Sequence, residues 1–268
     1  MVDTNDLLAR RQDGVLILTF NRPQFLNALT VDMQQKLGDE LAAAELDNDI
    51  GCIVVTGAGG AFCSGGDVKN MARMHATGAP VDHTQRMEMQ RQAQRRISLR
   101  LMEMGKPTLA SLPGAAAGAG LSIALACDMR IAADTAVMAT GFVKVGLSGD
   151  YGGTYLLTQL VGPAKAREMY LLGDRIDMAE ALRSGLVNWV VPPAQLEAKT
   201  MEIAKRLANG PRVAHRLIKD NLNRALKSTF ADCLDMESAN LVQARLTEDH
   251  KEASTAFAEK RAPKFKGR

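Results

Sequence analysis

Two glycine-rich stretches are the parts of this chain whose residue types and spacing could do chemistry. They are Gly57-Ala-Gly-Gly-Ala-Phe-Cys-Ser-Gly-Gly-Asp67 and Gly114-Ala-Ala-Ala-Gly-Ala-Gly-Leu-Ser122. Each follows a short β-like run and leads into a predicted helix start. Small residues let a substrate approach backbone N–H groups closely, and a helix N-terminus favours negative charge. Two such donors that converge on one carbonyl oxygen would form an oxyanion hole.

The same glycines also permit simpler interpretations. Glycine clusters after strands are commonly tight turns, and small residues in a helix often indicate only close packing. The run Gly118-Ala-Gly-Leu-Ser-Ile lacks the third glycine of the dinucleotide-binding pattern G-x-G-x-x-G, and the phosphate-binding pattern G-x-x-x-x-G-K-[ST] is absent from the sequence. Composition alone therefore favours turns and packing over a nucleotide site.

The elements that would hold these stretches alternate between strands and helices. A run of apolar residues at 15–20 predicts a strand that ends at Asn-Arg-Pro. Thr30 can cap the following helix, where apolar residues recur at helical spacing: Met33, Leu37, Leu41 and Ala44. Further strands are predicted at 52–56, 108–112 and 129–133, with a helix through 121–126. This alternation favours a mainly parallel, layered α/β core, although the sequence shows no fixed-period repeat.

Two other segments differ in composition from this core. Residues 71–104 are rich in methionine and arginine, and methionine serves either as core filler or as the lining of a flexible acyl pocket. After Trp189-Val-Val-Pro-Pro193 the strand patterns stop. Residues 194–260 are predicted to be helical, with a break near Asn209-Gly-Pro211. The many apolar faces of these helices indicate packing against other subunits.

Length and composition are those of a globular protein in a reducing compartment. A chain of 268 residues with 46% hydrophobic and 24% charged residues can form one domain, or one domain with a helical appendage. No apolar run reaches membrane-spanning length, and the first residues do not resemble a signal peptide. The cysteines at 52, 63, 127 and 233 are widely spaced, which indicates reduced thiols and no metal site. We therefore expect a cytoplasmic protein.

The net charge of +3 is too small to imply a nucleic-acid partner. Basic residues nevertheless cluster in two places, an arginine run at 86–100 and the tail at 251–268. The arginine run is interpreted as a solvated helix face. For the tail, a phosphate-rich small molecule is an alternative to a frayed end.

Taken together, five segments in this order resemble the crotonase, or enoyl-CoA hydratase/isomerase, superfamily. The match runs from about Val15 to the C-terminus, and any one segment would be weak evidence. The segments are Arg22-Pro-Gln-Phe-Leu-Asn-Ala-Leu29, Ala61-Phe-Cys-Ser-Gly-Gly-Asp-Val-Lys69, Lys106-Pro through Ala126-Cys-Asp128, Ala179-Glu-Ala-Leu-Arg-Ser-Gly-Leu-Val187, and Phe257-Ala-Glu-Lys-Arg261.

This resemblance implies an α/β spiral of ββα repeats over residues 1–195. Residues 196–268 would then form a C-terminal helical region for oligomerisation, giving a homotrimer or a hexamer. The implied substrate is an acyl-CoA thioester, whose coenzyme A is part of the substrate, so that no separate cofactor or metal is expected. Neither a membrane nor a nucleic acid is expected as a partner.

The resemblance also implies the positions of the site residues. The oxyanion donors would be the backbone N–H groups of Gly66 and Ala119. Coenzyme A would lie against two groups of residues, the second often supplied by a neighbouring subunit: Ser64, Gly65, Asp67 and Lys69, then Phe257 and Lys260. A basic residue common in the family before the first loop is Gly60 here, so one contact to coenzyme A is absent.

The reaction depends on where carboxylates lie. Hydratases of this family use two glutamates to activate water, and the corresponding positions here are Ser122 and Phe142. Asp150 remains, in a segment similar to the phenylacetate-pathway ring-epoxide isomerase and to bacterial enoyl-CoA isomerases with a catalytic aspartate. Without the resemblance, an aspartate before Gly-Gly would be interpreted as a helix cap. With it, Asp150 is predicted to move a proton between two carbons, and burial beside Phe142 would raise its pKa into a useful range.

Other functions stay open from the sequence. A hydratase that works with Asp150 alone is the alternative within the family, and a non-catalytic acyl-CoA or RNA-binding protein is the alternative of another class. An aryl-CoA dehalogenase would need a tryptophan where Phe142 stands, and also a histidine. The histidines give no secure counterpart: His75, His83, His215 and His250. A serine hydrolase is disfavoured because Gly146-Leu-Ser-Gly-Asp150 lacks the last glycine of G-x-S-x-G.

Overall fold

The computed structural model describes residues 5–77 and 82–268, in which two β-sheets are stacked and surrounded by helices. The strands are β1 (Leu7–Gln12), β2 (Val15–Phe20), β3 (Cys52–Gly57), β4 (Ala61–Cys63), β5 (Thr108–Leu112), β6 (Ala115–Ala117), β7 (Met129–Ala133), β8 (Val137–Ala139), β9 (Ile176–Asp177) and β10 (Trp189–Val191).

The helices follow the strands along the chain. They are α1 (Val31–Leu46), α2 (Val68–Ala76), α3 (His83–Gln94), α4 (Arg100–Glu103), α5 (Ala119–Ala126), α6 (Gly153–Leu172), α7 (Met178–Arg183), α8 (Pro193–Ala208), α9 (Arg212–Ala225), α10 (Phe230–Arg245) and α11 (Glu248–Ala258). A π-helical turn at Arg95–Leu99 joins α3 to α4, and short 3₁₀ turns lie at Pro23–Phe25 and Phe142–Val145.

The strand order shows a repeated ββα unit. The large sheet has the order β1-β2-β3-β5-β7-β10 and is parallel except between β1 and β2. The small sheet has the order β4-β6-β8-β9. After each of β3, β5 and β7 the chain adds one short strand to the small sheet and then enters a helix. The predicted spiral of ββα repeats is therefore confirmed.

The predicted long strands and the first helix are also present. The middle strands of the large sheet are buried on both faces, which explains their continuous apolar sequences. The Thr30 hydroxyl accepts a hydrogen bond from the Met33 N–H at 3.1 Å and so caps α1. The predicted apolar stripe of this helix is buried: Met33, Leu37, Leu41 and Ala44.

After β10, the described chain consists of the helices α8 to α11. Helix α8 packs against the outer face of the large sheet through Leu196 and Ala204. The later helices leave large apolar side chains exposed, among them Phe230 and Leu246. The boundary between residues 195 and 196 stays a prediction.

Two properties of the described residues concern a membrane and a metal ion. No helix there is long and apolar enough to cross a lipid bilayer. Within residues 5–77 and 82–268, no group of three or more His, Cys, Asp or Glu side chains is placed to hold a metal ion.

Candidate active site

The first glycine-rich loop is held by the segment that precedes α1. Asn27 is fully buried, and its side-chain amide donates to the carbonyl oxygens of Ala58, Ala61 and Phe62 at 2.8–3.2 Å. The Leu29 N–H donates to the Gly65 oxygen at 2.8 Å. Because the amide of Asn27 joins both ends of the β3–β4 turn, the loop that follows β4 has a fixed starting point.

The two glycine-rich stretches meet at Gly65. A Cβ atom at this residue would stand 3.0 Å from the Ala117 oxygen and 3.1 Å from the Ala119 nitrogen, and its φ is +91°. At the second residue of α5, Gly120 packs even more closely, because a Cβ there would stand 2.2 Å from the Cys63 oxygen and 2.7 Å from the Cβ of Cys63. Glycine at both positions therefore lets the β4 loop and the start of α5 touch through their backbones.

This contact brings the Ala119 nitrogen close to Gly65, the residue before Gly66, so the N–H groups of Gly66 and Ala119 are candidate donors. Ala119 is the first residue of α5, and the first N–H groups of a helix have no acceptor within the helix. Among the backbone hydrogen bonds found in the described residues outside helices and strands, none has the Gly66 N–H as its donor. Gly118, at the N-cap of α5, has a φ of 52° that turns the chain into the helix. These two N–H groups could donate hydrogen bonds to the carbonyl oxygen of a substrate. The positive N-terminal end of the α5 dipole would favour negative charge on that oxygen.

Asp150 lies on a loop with an unusual backbone. Gly149, Tyr151 and Gly152 have φ values of 117°, 50° and 75°. Positive φ at a tyrosine is strained and persists only where the surroundings fix it. Here the side chain of Tyr151 is buried and its hydroxyl donates to Gln34 Oε1 at 2.7 Å. The buried tyrosine thus anchors the loop that presents Asp150.

The interpretation of Asp150 as a helix cap is wrong. The N-cap of α6 is Gly152, and no side chain caps this helix. The carboxyl group of Asp150 points elsewhere: Oδ2 accepts a hydrogen bond from Gln90 Nε2 at 3.4 Å, and Oδ1 is buried without a hydrogen-bond partner. An unpartnered buried carboxyl oxygen is costly to fold and indicates a functional group.

Burial raises the pKa of Asp150 to about 6, and the hydrogen bond from Gln90 offsets part of this rise. The titratable neighbours that feel the charge of Asp150 are the Cys63 thiol and the phenols of Tyr151 and Tyr170. Burial raises the pKa of each of these groups, so all three are neutral at pH 7. Among the described residues, burial and Gln90 are the causes that shift the pKa of Asp150, and no cation is one of them.

Ser122 and Phe142 are joined by a third residue, Tyr170 of α6. The Ser122 hydroxyl donates to the Gly118 oxygen at 3.3 Å. It lies near the phenol of Tyr170, because a Cβ at Gly153 would stand 2.2 Å from the Ser122 hydroxyl and 2.4 Å from that of Tyr170. The ring of Tyr170 lies parallel to that of Phe142, at 6.0 Å between centroids and 1° between planes. The two positions that the resemblance matches to the hydratase glutamates thus hold a hydroxyl and an aromatic ring, and the ring of Tyr170 packs beside them.

Three of the residues predicted to hold coenzyme A lie on or just after the β4 loop. Ser64 donates from its side chain to the Phe25 oxygen at 3.4 Å, and Lys69 is exposed in the first turn of α2. Asp67 is already engaged, because its Oδ1 accepts from the Asn70 N–H at 3.0 Å and its Oδ2 lies 3.5 Å from the Arg22 guanidinium. Their contacts to coenzyme A stay a prediction, as does the catalytic role of Asp150.

The other predicted coenzyme A residues stand apart from this loop. Phe257 is 87% exposed near the end of α11, and Lys260 follows with a φ of 55°. No hydrogen bond or ring contact in the described part of the chain joins either residue to Ser64 or Asp67. The prediction that a neighbouring subunit supplies Phe257 and Lys260 stays untested.

The basic clusters are partly neutralised within the chain. Arg96 pairs with Asp39, Arg100 pairs with Glu45, and Arg91 lies 2.7 Å from Glu88. In the tail, Arg261 pairs with Glu252 at 2.6 Å and with Glu259 at 2.6 Å. These ion pairs leave fewer free cations for RNA or for a phosphate than the sequence indicates.

Sequence reasoning missed Gln90 and Tyr170. Gln90 stands in a polar, arginine-rich helix that shows no apolar stripe, so no sequence pattern marks it. Tyr170 lies far along α6, but the Gly162-Pro163 pair before it is a helix breaker and could have indicated a reversal of the chain. Of the histidines, His215 is half-buried with an unpartnered Nδ1, and the side chain of His75 lies outside the described residues.

The N–H groups of Gly66 and Ala119 and the buried carboxyl group of Asp150 form a candidate site for stabilising an oxyanion, and this site stays a prediction. The comparisons with known proteins show the family of the chain. Residues 10–268 match the family model described as enoyl-CoA hydratase/isomerase, and the chain belongs to this family.

Named relatives carry two different activities. The chain is 37% identical over 262 residues to the "probable enoyl-CoA hydratase echA8" of Mycobacterium tuberculosis, covering 97% of each chain. It is 35% identical over 262 residues to the 1,2-epoxyphenylacetyl-CoA isomerase of Escherichia coli, covering 98% of each. The crystal structure of an enoyl-CoA hydratase from Polaromonas superposes with a TM-score of 0.88 at 32% identity, covering 97% of this chain and 99% of that one.

Proposed function

We propose that the protein isomerises the double bond of an enoyl-CoA, with Asp150 as the single acid and base. The observation that carries this proposal is the state of the Asp150 carboxyl group. Within the part of the chain that the structure describes, one of its oxygens is buried without a hydrogen-bond partner. Burial raises its pKa to about 6, and no cation is among the causes that lower it. Such a group can accept a proton at neutral pH and give it back.

The reaction uses the two donors and this carboxylate in turn. The thioester oxygen of a 3-enoyl-CoA accepts hydrogen bonds from the N–H groups of Gly66 and Ala119. Asp150 removes a proton from C2, and the electron pair moves into a dienolate whose negative oxygen the two donors stabilise. The protonated Asp150 then returns the proton to C4, which gives the conjugated 2-enoyl-CoA and restores the carboxylate. No other reactant is consumed.

Hydration is disfavoured because it needs a held and activated water. Burial and the hydrogen bond from Gln90 shift the pKa of Asp150. Among the described residues, no second carboxylate contributes to this shift. Ser122 and Phe142, at the positions of the two hydratase glutamates, offer no second base. Many of the relatives are nevertheless named hydratases or probable hydratases, so a hydratase that works with Asp150 alone is the alternative.

The test pairs two substrates on the purified protein. With a trans-3-enoyl-CoA we expect the absorbance of the conjugated thioester to appear, and with a trans-2-enoyl-CoA we expect it to persist. Asp150→Asn keeps the shape of the side chain but removes the carboxylate that acts as the base. We expect it to lower the rate of isomerisation by at least about 10²-fold. Asp134→Asn, at an exposed aspartate after β7, is the matched control and is expected to behave as the parent.

Efficient hydration of the 2-enoyl-CoA that is lost in Asp150→Asn would contradict the isomerase proposal and favour the single-aspartate hydratase. Isomerisation that survives in Asp150→Asn would contradict the role of this residue. Activity on neither substrate would contradict both and favour a protein that binds acyl-CoA without transforming it.

The proposal extends to the assembly and its substrate. We propose a cytoplasmic homotrimer or hexamer that needs no cofactor besides the coenzyme A of its substrate, and that takes part in fatty acid metabolism. The exposed apolar side chains of α9 to α11 support the assembly, since single soluble chains rarely leave so many uncovered.

A further inference from the structure

Tyr170 reaches the active site because α6 is not one straight helix. Gly162 has φ 77° and ψ 166°, outside the helical range, and Pro163 follows it. A straight helix would carry Tyr170 about 26 Å from Gly153 at the helix start. Instead, a Cβ at Gly153 would overlap both the Tyr170 hydroxyl and the Ser122 hydroxyl. The second half of α6 therefore folds back onto the first.

The returned tyrosine lies against the loop that carries Asp150. A Cβ at Gly149 would stand 3.1 Å from Cε1 of Tyr170 and 3.6 Å from its hydroxyl. On the other side, the ring stacks on Phe142, whose own edge lies 3.9 Å from the place of a Cβ at Gly118. One side chain thus spans the gap between the N-terminus of α5 and the loop of Asp150.

We propose that Tyr170 is a positioning residue of the reaction: with Ser122 and Phe142 it fills the space in which a reacting water would otherwise stand beside Asp150. This inference rests on the proposed acid–base role of Asp150. The ring supplies the bulk, and its hydroxyl lies beside that of Ser122. The Ser122 hydroxyl in turn donates a hydrogen bond to the Gly118 oxygen, one residue before the proposed donor Ala119. The tyrosine thereby favours proton transfer between carbons over the addition of water.

The effect of Tyr170 can be measured through the pKa of Asp150, which depends on the groups that face its carboxyl group. They are Gln90 from α3, Cys63 from β4, Tyr151 from its own loop and Tyr170 from α6. Removing the ring of Tyr170 opens the site to water, so the burial that raises the pKa of Asp150 is weakened. Removing only the hydroxyl leaves the burial unchanged.

The experiment compares Tyr170→Ala and Tyr170→Phe with the parent, and Tyr155→Ala, at another tyrosine of α6, is the matched control. The titration of Asp150 is followed by NMR on protein with ¹³C-labelled aspartate carboxyls, its resonance assigned by its loss in Asp150→Asn. We expect the midpoint to fall by about one unit or more in Tyr170→Ala and to stay within a few tenths in Tyr170→Phe. The ratio of hydration to isomerisation is expected to rise about tenfold in Tyr170→Ala. In Tyr170→Phe, kcat is expected to fall about threefold at unchanged KM.

An unchanged midpoint and product ratio in Tyr170→Ala would overturn the inference. If Tyr170→Ala does not fold, Tyr170→Leu replaces it. An unchanged Asp150 midpoint in Tyr170→Leu, together with an unchanged kcat in Tyr170→Phe, would also overturn the inference. A parent that does not isomerise, but whose Asp150 midpoint falls on removal of the ring, would contradict the proposed function and still support Tyr170 as the residue that keeps water from Asp150.

Discussion

A carboxyl group with a pKa near 6 exchanges its proton readily in both directions at neutral pH. Asp150 reaches this value by burial alone, while the hydrogen bond from Gln90 acts against it. The pKa is therefore a balance between an apolar site, which favours the acid, and one amide, which favours the base. Because the balance depends on a single 3.4 Å hydrogen bond, it can be shifted without changing the carboxylate.

Gln90→Leu removes the donor that favours the charged carboxylate. The pKa of Asp150 should then rise further, and the low-pH limb of kcat/KM for isomerisation, expected near pH 6 in the parent, should move to higher pH by about half a unit to one unit. The sign follows from the role of Asp150 as a base, which must be deprotonated in the free enzyme.

The measurement is a pH profile of kcat/KM on a 3-enoyl-CoA. Gln92→Leu is the control, because Gln92 lies on the same helix and bonds the exposed Glu88 at 2.8 Å instead. A limb that stays in place in Gln90→Leu, or that moves to lower pH, would show that the amide does not hold the catalytic carboxylate.

At the scale of elements, the oxyanion hole depends on how closely the β4 loop approaches α5. The atoms that a side chain at Gly65 would meet, the Ala117 oxygen and the Ala119 nitrogen, belong to the backbone. They cannot yield without moving the first turn of α5. A single methyl group at this point should therefore displace a donor rather than a flexible side chain.

Gly65→Ala is expected to lower kcat by about 10²-fold or more, the loss typical of one oxyanion donor. Its φ of +91° adds backbone strain of about 1–2 kcal/mol. Gly185→Ala separates the two effects, because Gly185 has φ +78° with no atom within 4 Å of a Cβ. We expect that control to lose similar stability in urea unfolding and to keep its kcat.

Equal losses of kcat in the two variants would mean that strain alone, and not the contact between the loop and α5, explains the effect. A Gly65→Ala protein with the kcat of the parent would show that the Ala119 N–H is not an oxyanion donor.

The elements also show what a sequence can predict. The long strands and α1 follow from their apolar patterns, and the two donors follow from small residues at family positions. The short strands of the small sheet were not predicted, because runs of two or three residues such as Ala115–Ala117 are too short for a pattern to register. Gln90 and Tyr170 depend on how distant elements pack, which no local pattern encodes.

For the whole molecule, the C-terminal helices present more apolar surface than one chain can cover. Leu246 is 77% exposed and Phe230 is 79% exposed, on the α10 region beyond the sheets. We therefore expect light scattering to give three or six times the chain mass of 28.9 kDa. Leu246→Glu places a charge in that surface and is expected to lower the assembly mass at micromolar concentration.

Leu46→Glu is the matched control, since Leu46 is 85% exposed at the end of α1, away from these helices. It should keep the mass of the parent. A parent that runs as a monomer, or two variants with the same mass, would contradict the assignment of the assembly surface to α9–α11.

The proposed donors of the oxyanion hole are backbone N–H groups, and this affects how the protein can diverge. Substitution of a side chain cannot delete a peptide N–H unless it introduces proline, so the capacity to stabilise an enolate is inherited with the fold. The surrounding acids, hydroxyls and rings are free to vary one at a time. A lineage can therefore pass from one enolate reaction to another through intermediates that never lose the shared half of the chemistry.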